Sequence, residues 1–316
     1  MYLVCGEALF DVFLGDDEGD PGSLQFNARA GGSPFNVAIG IARLGGRASL
    51  LTSIATDLLG RRLVEILQRE SVSIDYLLRS KRRTTLSMVS VDDNGQPEYV
   101  FYGEGSADCS VQTSDLPKIG AGILGIHFGS YSLVVRPVAD AFACLVAQNG
   151  DRFVSLDPNI RPTIEADMDI WRDRVDEYVG YTDLLKISAE DMDFLYPGVP
   201  RENKIVDWLD RGVSLAVITD GGNDCVAWTK SGDSLRKPIF NSDVVDTVGG
   251  GDSFQAALLA KLASGENPKQ AVKRLNAESL EELITYALAA ASITCSRRGA
   301  DLPSRDDVLA LVKSCE

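Results

Sequence analysis

Two aspartates enclose three consecutive glycines in the segment 246–254, which runs Asp246-Thr-Val-Gly-Gly-Gly-Asp252-Ser-Phe. Glycines allow a sharp turn and let a ligand approach bare main-chain N–H groups. Apolar residues then recur at every fourth position, which predicts a helix over 253–263. The segment is therefore expected to be a tight turn that leads directly into a helix.

Such a turn is suited to bind an anion. The first N–H groups of a helix lack intrahelical partners, and the positive end of the helix dipole adds to their attraction for a phosphate. Asp252 puts a carboxylate at the same place, which makes sense if it removes a proton from a hydroxyl that attacks phosphorus. The competing interpretation is a glycine-rich turn with an aspartate cap, and both stay open at this point.

A second glycine cluster, Gly31 and Gly32, precedes Ser33, Pro34 and Asn36. Serine is a common helix cap, and proline suits the first helical position. We therefore predict that Ser33 caps a helix over 37–44. Asn36 would lie in its first turn, where an amide can face a polyol, although the pattern also fits an ordinary helix start.

Polar residues follow three other predicted strands, 153–156, 183–187 and 215–219. In doubly wound sheets, residues just past the carboxyl ends of strands line the ligand crevice. An arginine there suits a phosphoryl oxygen, and carboxylates can hold the water shell of Mg²⁺. A capping box of Ser188 and Asp191 is the other explanation for one of these sets. The residues concerned are Asp157, Asn159, Arg161, Lys186, Ser188, Asp191, Thr219 and Gly221.

Bulk properties exclude several classes of function. The chain has 316 residues and a net charge of −15, from 31 basic and 46 acidic residues, which disfavours binding to nucleic acid or to an anionic membrane. No apolar run approaches the ~20 residues of a membrane span. Its six cysteines are scattered, so we expect reduced thiols in a cytoplasmic protein. A single histidine, His127, is expected to be structural because it cannot build a zinc site alone.

Strand and helix patterns alternate along the chain. Further strands are predicted over 50–54 and 125–129, and further helices over 61–70, 137–149, 204–211 and 284–295. This alternation predicts a mostly parallel sheet that helices cover on both faces. The stretches 12–30 and 84–104 break the rhythm with hairpin patterns, the second around Asn94-Gly95. They are expected to form a small separate sheet; extra edge strands of the main sheet are the alternative.

Together these motifs resemble the ribokinase or PfkB-type family of carbohydrate kinases over nearly the whole chain. Several segments are similar to its fructokinase branch in particular: 36–45, 106–108, 127–130, 157–159, 186–188 and 298–300. The resemblance implies a ribokinase-like α/β fold, with a doubly wound, mostly parallel sheet and a small β-sheet lid. It implies one sugar-kinase domain over 1–316, into which the lid segments are inserted.

The activity that the resemblance implies is ATP-dependent phosphorylation of a sugar primary hydroxyl, with D-fructose giving fructose 6-phosphate. It also implies Mg²⁺, K⁺ as a further cation, and a homodimer formed through the lid. Alternatives within the family are 2-keto-3-deoxygluconate kinase, ribokinase and nucleoside kinase. A non-catalytic sugar-binding regulator is the alternative from another class. Gly103 stands where relatives carry an arginine, and this disfavours a sugar acid as substrate.

The family's functional residues carry over by position. Asp252 would be the catalytic base, and the N–H groups of Gly249, Gly250, Gly251 and Asp252 the anion hole. Sugar hydroxyls would meet Asp11, Gly31, Gly32 and Asn36, with Arg161 near the transferred phosphate. ATP would meet Lys186, Thr219 and Gly221. Asp191 would organise Mg²⁺ through water, and Asp246 would belong to a monovalent-cation loop.

Overall fold

The computed structural model describes residues 1–15, 22–91, 97–240, 243–265 and 267–314. The strands are β1 Tyr2–Cys5, β2 Leu9–Leu14, β3 Phe26–Gly31, β4 Ala48–Leu51, β5 Ser53–Ala55, β6 Leu78–Ser80, β7 Leu86–Val91, β8 Pro97–Tyr102, β9 Gly125–Gly129, β10 Phe153–Asp157, β11 Leu184–Ser188, β12 Leu215–Thr219, β13 Cys225–Thr229 and β14 Ser234–Lys237. The α-helices are α1 Ser33–Arg43, α2 Leu58–Arg69, α3 Val138–Gln148, α4 Met168–Val179, α5 Ala189–Leu195, α6 Arg201–Asp210, α7 Gly250–Leu262, α8 Pro268–Lys273, α9 Ala277–Cys295 and α10 Arg305–Lys313.

The main sheet has eight strands in the order β14-β13-β12-β11-β10-β9-β1-β4. The six strands from β12 to β4 run parallel, and β13 and β14 add an antiparallel edge. Side chains alternate between the faces of a strand, so β1 sends Tyr2 and Val4 into one core and Leu3 and Cys5 into the other. Helices α1, α2 and α7–α10 cover the first face, and α3–α6 cover the second. The predicted doubly wound, mostly parallel sheet is confirmed.

A second sheet of four strands, in the order β3-β2-β7-β8, stands apart from the main one. We call it the lid sheet. It comes from the two stretches that broke the helix–strand rhythm, so the expected separate sheet is confirmed and the alternative of extra edge strands is wrong. Residues 16–21 and 92–96, which include the predicted Asn-Gly turn, lie outside the described residues.

The predicted strand over 50–54 is wrong as a single element. The chain leaves the main sheet at Thr52, and β5 then pairs in parallel with β6 in a two-stranded sheet. The apolar run continues through this change of sheet, so the sequence pattern could not mark it. Helix α1 also starts differently from the prediction: Gly32 is its cap, with φ 103°, and Ser33 is its first helical residue.

The described structure also shows where the cysteines and the single histidine lie. No helix in the described part of the chain is both long and apolar enough to cross a bilayer. Cys5, Cys109, Cys144, Cys225 and Cys295 are free thiols, and Cys315 lies outside the described residues. His127 is fully buried on β9, with Nδ1 3.2 Å from Ser155 Oγ, within the polar layer under α7.

Helices α1 and α7 pack unusually closely. A Cβ added at Gly40 of α1 would lie 2.6 Å from Ala256 Cβ of α7 and 2.9 Å from Leu302 Cδ2. A side chain at this position would therefore push apart the two helices that begin at the candidate site.

We expect Gly40→Ala to lower the free energy of unfolding by up to about 2 kcal/mol, since overpacking costs ~1–3 kcal/mol and the gain in helix propensity offsets about 1 kcal/mol of this cost. Chemical denaturation measures the change. Gly122→Ala is the matched control, because a Cβ there meets no atom within 4 Å. Equal stability of the two variants would show that this helix contact does not constrain the fold.

Candidate active site

The Asp252 carboxylate lies where the amino ends of α1 and α7 meet. Its Oδ1 accepts a hydrogen bond of 2.6 Å from Ser33 Oγ, and its Oδ2 accepts one of 2.8 Å from Asn36 Nδ2. All three side chains are at least nine-tenths buried. Ser33 was expected as a helix cap, but because Gly32 takes that position its hydroxyl is left to bind the aspartate.

The glycine turn before α7 is shaped by close packing. Gly249 caps the helix in the left-handed region, with φ 80°. A Cβ at this position would lie 2.6 Å from Ala300 Cβ, and one at Gly251 would lie 3.1 Å from Lys186 Nζ. Gly250 N–H donates to Thr247 O, so in the described structure the turn leaves the N–H groups of Gly249, Gly251 and Asp252 as donors for an anion. Only part of the expected anion hole is therefore free.

Asp11 faces the same cleft from the lid sheet. A Cβ at Gly31 would lie 2.3 Å from Asp11 Oδ2, so the glycine leaves room for the carboxylate. Burial raises the pKa of Asp11 to about 6, and the nearby Asp252 carboxylate adds to the rise, while Ser87 and Arg161 oppose it. Because the Asp252 carboxylate acts on the pKa of Asp11, these two predicted site residues lie in the same cleft.

A buried ion pair lies beside the glycine turn. Lys186 Nζ contacts Asp157 Oδ2 at 2.8 Å, and the two side chains are 6% and 1% exposed. Burial raises the pKa of Asp157, and the Lys186 ammonium opposes the rise. Asp157 Oδ1 is buried and has no hydrogen-bond partner in the described structure.

Asp191 is directed at the loop that follows β10. Ser188 Oγ accepts from Asp191 N–H at 3.0 Å, so Ser188 does cap α5. The Asp191 carboxylate does not complete a capping box; its Oδ1 accepts from Ile160 N–H at 3.1 Å. Burial raises the pKa of Asp191 to about 6, and the Asp157 carboxylate adds to the rise. The Ser188 half of the expected capping box is therefore present and the Asp191 half is not, while the role of Asp191 with Mg²⁺ stays a prediction.

Arg161 supplies exposed positive charge to the cleft. Burial raises the pKa of four carboxyl groups in the cleft, and the positive charge of Arg161 opposes each rise. The four groups are those of Glu7, Asp11, Asp157 and Asp191. Its Nη1 donates to Ile160 O at 2.9 Å, and within the described residues it forms no ion pair shorter than 4 Å. An exposed guanidinium in this position can meet an anionic ligand.

The remaining predicted residues lie around the rim of the cleft. Thr219 ends β12, and Gly221 follows in an exposed turn with φ 51°. Asp246 joins two loops, because its Oδ1 accepts from Val248 N–H at 3.1 Å and its Oδ2 from Gly299 N–H at 2.7 Å. In the described structure these residues form no hydrogen bond with Asp252, and Thr219 and Gly221 lie at the carboxyl end of β12.

Sequence reasoning missed two residues of the cleft. Glu7 is a 2% exposed acid just past β1, and the rule for strand ends could have found it. Arg29 of β3 reaches from the lid sheet to the main body, where its Nη1 donates to Arg298 O at 2.8 Å. No local pattern marks Arg29, since its partner is 269 residues away.

Comparisons with known proteins agree with this geometry. A family model described as pfkB family carbohydrate kinase matches residues 2–307. A fructokinase from Rhizobium leguminosarum bv. trifolii is 36% identical over 263 residues, 83% of this chain and 79% of the relative. Fructokinase-2 from Zea mays is 32% identical over 282 residues, 85% of this chain and 80% of the relative.

Solved structures show the same fold. The fructokinase from Xylella fastidiosa with bound ATP superposes with a TM-score of 0.90, at 25% identity, over 99% of this chain and 98% of the other. The fructokinase from Vibrio cholerae O395, in a form with bound fructose, ADP and calcium ion, gives a TM-score of 0.83 at 25% identity over 98% of both chains. The expected ribokinase-like fold is thus confirmed, and the chain belongs to the pfkB family of carbohydrate kinases.

Proposed function

We propose that this sugar kinase transfers the γ-phosphoryl group of ATP to the primary hydroxyl of D-fructose and so makes fructose 6-phosphate. The observation that carries the proposal is the Asp252 carboxylate, which Ser33 and Asn36 orient at the first turn of α7, beside free main-chain donors. The relatives named as fructokinases support fructose as the sugar.

Asp252 is the general base in this proposal. It takes the proton of the sugar hydroxyl as the oxygen attacks the γ-phosphorus in line, which is the positioning that phosphoryl transfer requires. Two hydrogen bonds fix the carboxylate before the sugar arrives, so little reorganisation is needed at the moment of reaction. Asp11, Gly31, Gly32 and Asn36 bind the sugar hydroxyls from the side of the lid sheet.

Negative charge on the transferred group meets main-chain donors and two cations. The N–H groups of Gly251 and Asp252 lie at the positive end of α7, where an anion is favoured. Lys186 lies beside this turn. Arg161 has no carboxylate oxygen within 4 Å of its guanidinium in the described structure. Both side chains can therefore approach phosphate oxygens. Thr219 and Gly221 bind the nucleotide farther along the edge of the sheet.

The residues present fit a magnesium ion that is held mainly through water. Mg²⁺ keeps several waters and needs only one or two protein carboxylates beside the substrate phosphates. Asp191 and the unpaired Asp157 Oδ1 lie near each other, whereas the described residues contain no cluster of three His, Cys, Asp or Glu side chains that could hold a metal directly. A bound Mg²⁺ would neutralise charge on the phosphate oxygens.

Several further features of the proposal concern the whole protein. Residues 1–316 form one kinase domain with lid segments 12–30 and 84–104, the lid sheet joins two subunits in a homodimer, and the enzyme works in the cytoplasm. Asp246 belongs to a loop that binds K⁺; its two hydrogen bonds to loop N–H groups support this role.

A coupled assay of ADP release with a panel of sugars tests the proposed sugar-kinase activity. Release that no sugar stimulates would favour a sugar-binding regulator instead.

Asp252→Asn should lower kcat by about 10²–10⁴-fold, the usual contribution of general-base catalysis, and should retain sugar binding. Steady-state kinetics and calorimetric titration with fructose measure the two effects. Asp306→Asn is a matched control, because this exposed aspartate also lies in the first turn of a helix. If the Asp252→Asn variant keeps more than about a tenth of the wild-type kcat, Asp252 is not the base.

Fructose should give a higher kcat/KM than 2-keto-3-deoxygluconate. Burying the carboxylate of the sugar acid requires a cation, and Gly103 lacks one. A side chain cannot be added simply there, because a Cβ at Gly103 would lie 2.1 Å from the Phe101 ring. Initial rates with both sugars at fixed ATP decide the matter. A preference for the sugar acid would contradict the choice of fructose and point to Arg161 as the partner of its carboxylate.

Arg29→Ala should raise the KM for sugar by about fivefold or more, the lower end of typical coupling between sites, and should increase ATP hydrolysis without sugar. The reason is that the Arg29–Arg298 hydrogen bond joins the lid sheet to the main body, and a closed lid excludes water. Arg62→Ala, which removes an exposed arginine of α2, is the control. If both variants behave like wild type, this contact does not hold the lid closed.

A further inference from the structure

A buried carboxyl group of the cleft has no part in the mechanism above. Glu7 follows β1 and is 2% exposed. Its Oε1 accepts from Ser33 N–H at 3.3 Å, while its Oε2 is buried without a hydrogen-bond partner in the described structure. Groups of this kind are rare, because an unpaired buried polar atom costs free energy. Its retention beside the catalytic base therefore needs an explanation.

Glu7 determines where α1 begins. The helix has no side-chain cap of its own, because its cap residue is Gly32. A Cβ at Gly32 would lie 3.0 Å from Glu7 O, so the main chain of Glu7 also contacts this residue. One carboxyl from the loop between β1 and β2 thus replaces the usual cap.

The same helical turn carries both groups that hold Asp252. Ser33 receives the Glu7 contact through its N–H and donates to Asp252 through its hydroxyl. Asn36, three residues further along the same turn, donates to the other oxygen of Asp252. A displacement of this turn would therefore move both donors away from the carboxylate together.

We propose that Glu7 is the positioning residue for the catalytic base: its buried carboxyl holds the first turn of α1 so that Ser33 and Asn36 fix Asp252 in place. The inference rests on the proposed role of Asp252. Loss of Glu7 should accordingly reduce kcat, which depends on the orientation of the base, more than the KM for sugar.

The surroundings of Glu7 favour its neutral form. Burial raises the pKa of Glu7 to about 8; the Asp108 carboxylate adds to the rise, while the Ser130 hydroxyl and Arg161 oppose it. Two other titratable groups face it, Cys109 and Tyr131, and burial raises the pKa of both, so they stay uncharged. At neutral pH, Glu7 is therefore a neutral hydrogen-bond acceptor, which a glutamine can imitate.

The sign of the pH dependence follows from these values. In the unfolded chain the Glu7 carboxyl has its ordinary pKa of 4.5, and in the folded protein its pKa is about 8. Folding therefore disfavours the ionised form, and the wild type loses stability as pH rises from 4.5 to 8. Glu7→Gln has no such charge, so its Tm should rise relative to that of the wild type over this range and level off above about pH 8.

Kinetics of Glu7→Gln, Glu7→Ala and wild type with fructose and ATP provide the functional test. We expect Glu7→Ala to lose about tenfold or more in kcat, since small misplacements of catalytic groups can cost up to about 10²-fold, with a much smaller change in the KM for fructose. Glu7→Gln should recover most of this loss at about pH 7.

Two measurements need no turnover and so separate this inference from the proposed function. The first is the Tm difference against pH, with Glu278→Gln as the control acid in the first turn of α9; a difference that does not change with pH would contradict the neutral form of Glu7, on which the expected recovery by Glu7→Gln rests. The second is a crystal structure of Glu7→Ala. If Ser33 Oγ still lies 2.6 Å from Asp252 Oδ1 in that variant, as in the wild type, Glu7 does not position the base.

Discussion

Two hydrogen bonds to one carboxylate, that of Asp252, hold the amino ends of α1 and α7 together, and the rest of the site is arranged around this contact. The helices can meet only because Gly40 and Ala256 let their backbones come close. At the start of α7, the unpaired N–H groups of Gly251 and Asp252 add donors to the cleft, where an anion is favoured. A single side chain therefore joins the two helix ends. In the proposed reaction, any residue that moves either helix end acts on the base.

Charge in the cleft is unevenly distributed. Glu7, Asp157 and Asp191 converge there because the carboxyl ends of parallel strands meet at one edge of the sheet, and Asp11 joins them from the lid sheet. Burial raises the pKa of all four carboxyl groups. Such a site repels a nucleotide unless donors and cations compensate. Main-chain N–H groups are hydrogen-bond donors whatever the charge of the surrounding side chains. They therefore allow a chain with a net charge of −15 to bind phosphate locally. In the proposed reaction, Lys186 and Arg161 add to this compensation from the protein side.

The lid sheet meets the main body through one acidic and one basic side chain. Asp11 approaches Asp252 from β2, and Arg29, its pairing partner on β3, reaches the loop at Arg298. Gly299 of that loop is bonded to Asp246. One pair of strands thus spans from the sugar side to the loop beside the glycine turn. Closure of the lid would bring Asp11 to the cleft and Arg29 to the loop at Arg298 in the same movement. Such a movement suits an enzyme that must exclude water before phosphoryl transfer.

The sequence alone determined the alternation of strands and helices, the glycine turn before α7 and the aspartate within it, because periodicity and backbone freedom are local properties. The same holds for the polar residues that follow strands, including Asp157 and Asp191. Only the tertiary structure decided that Ser33 binds Asp252 instead of capping its own helix, and that the predicted strand 50–54 divides between two sheets. Glu7 and Arg29 owe their importance to partners 26 and 269 residues away. Contacts between residues so distant in the chain depend on how helices and sheets pack, which no local pattern encodes.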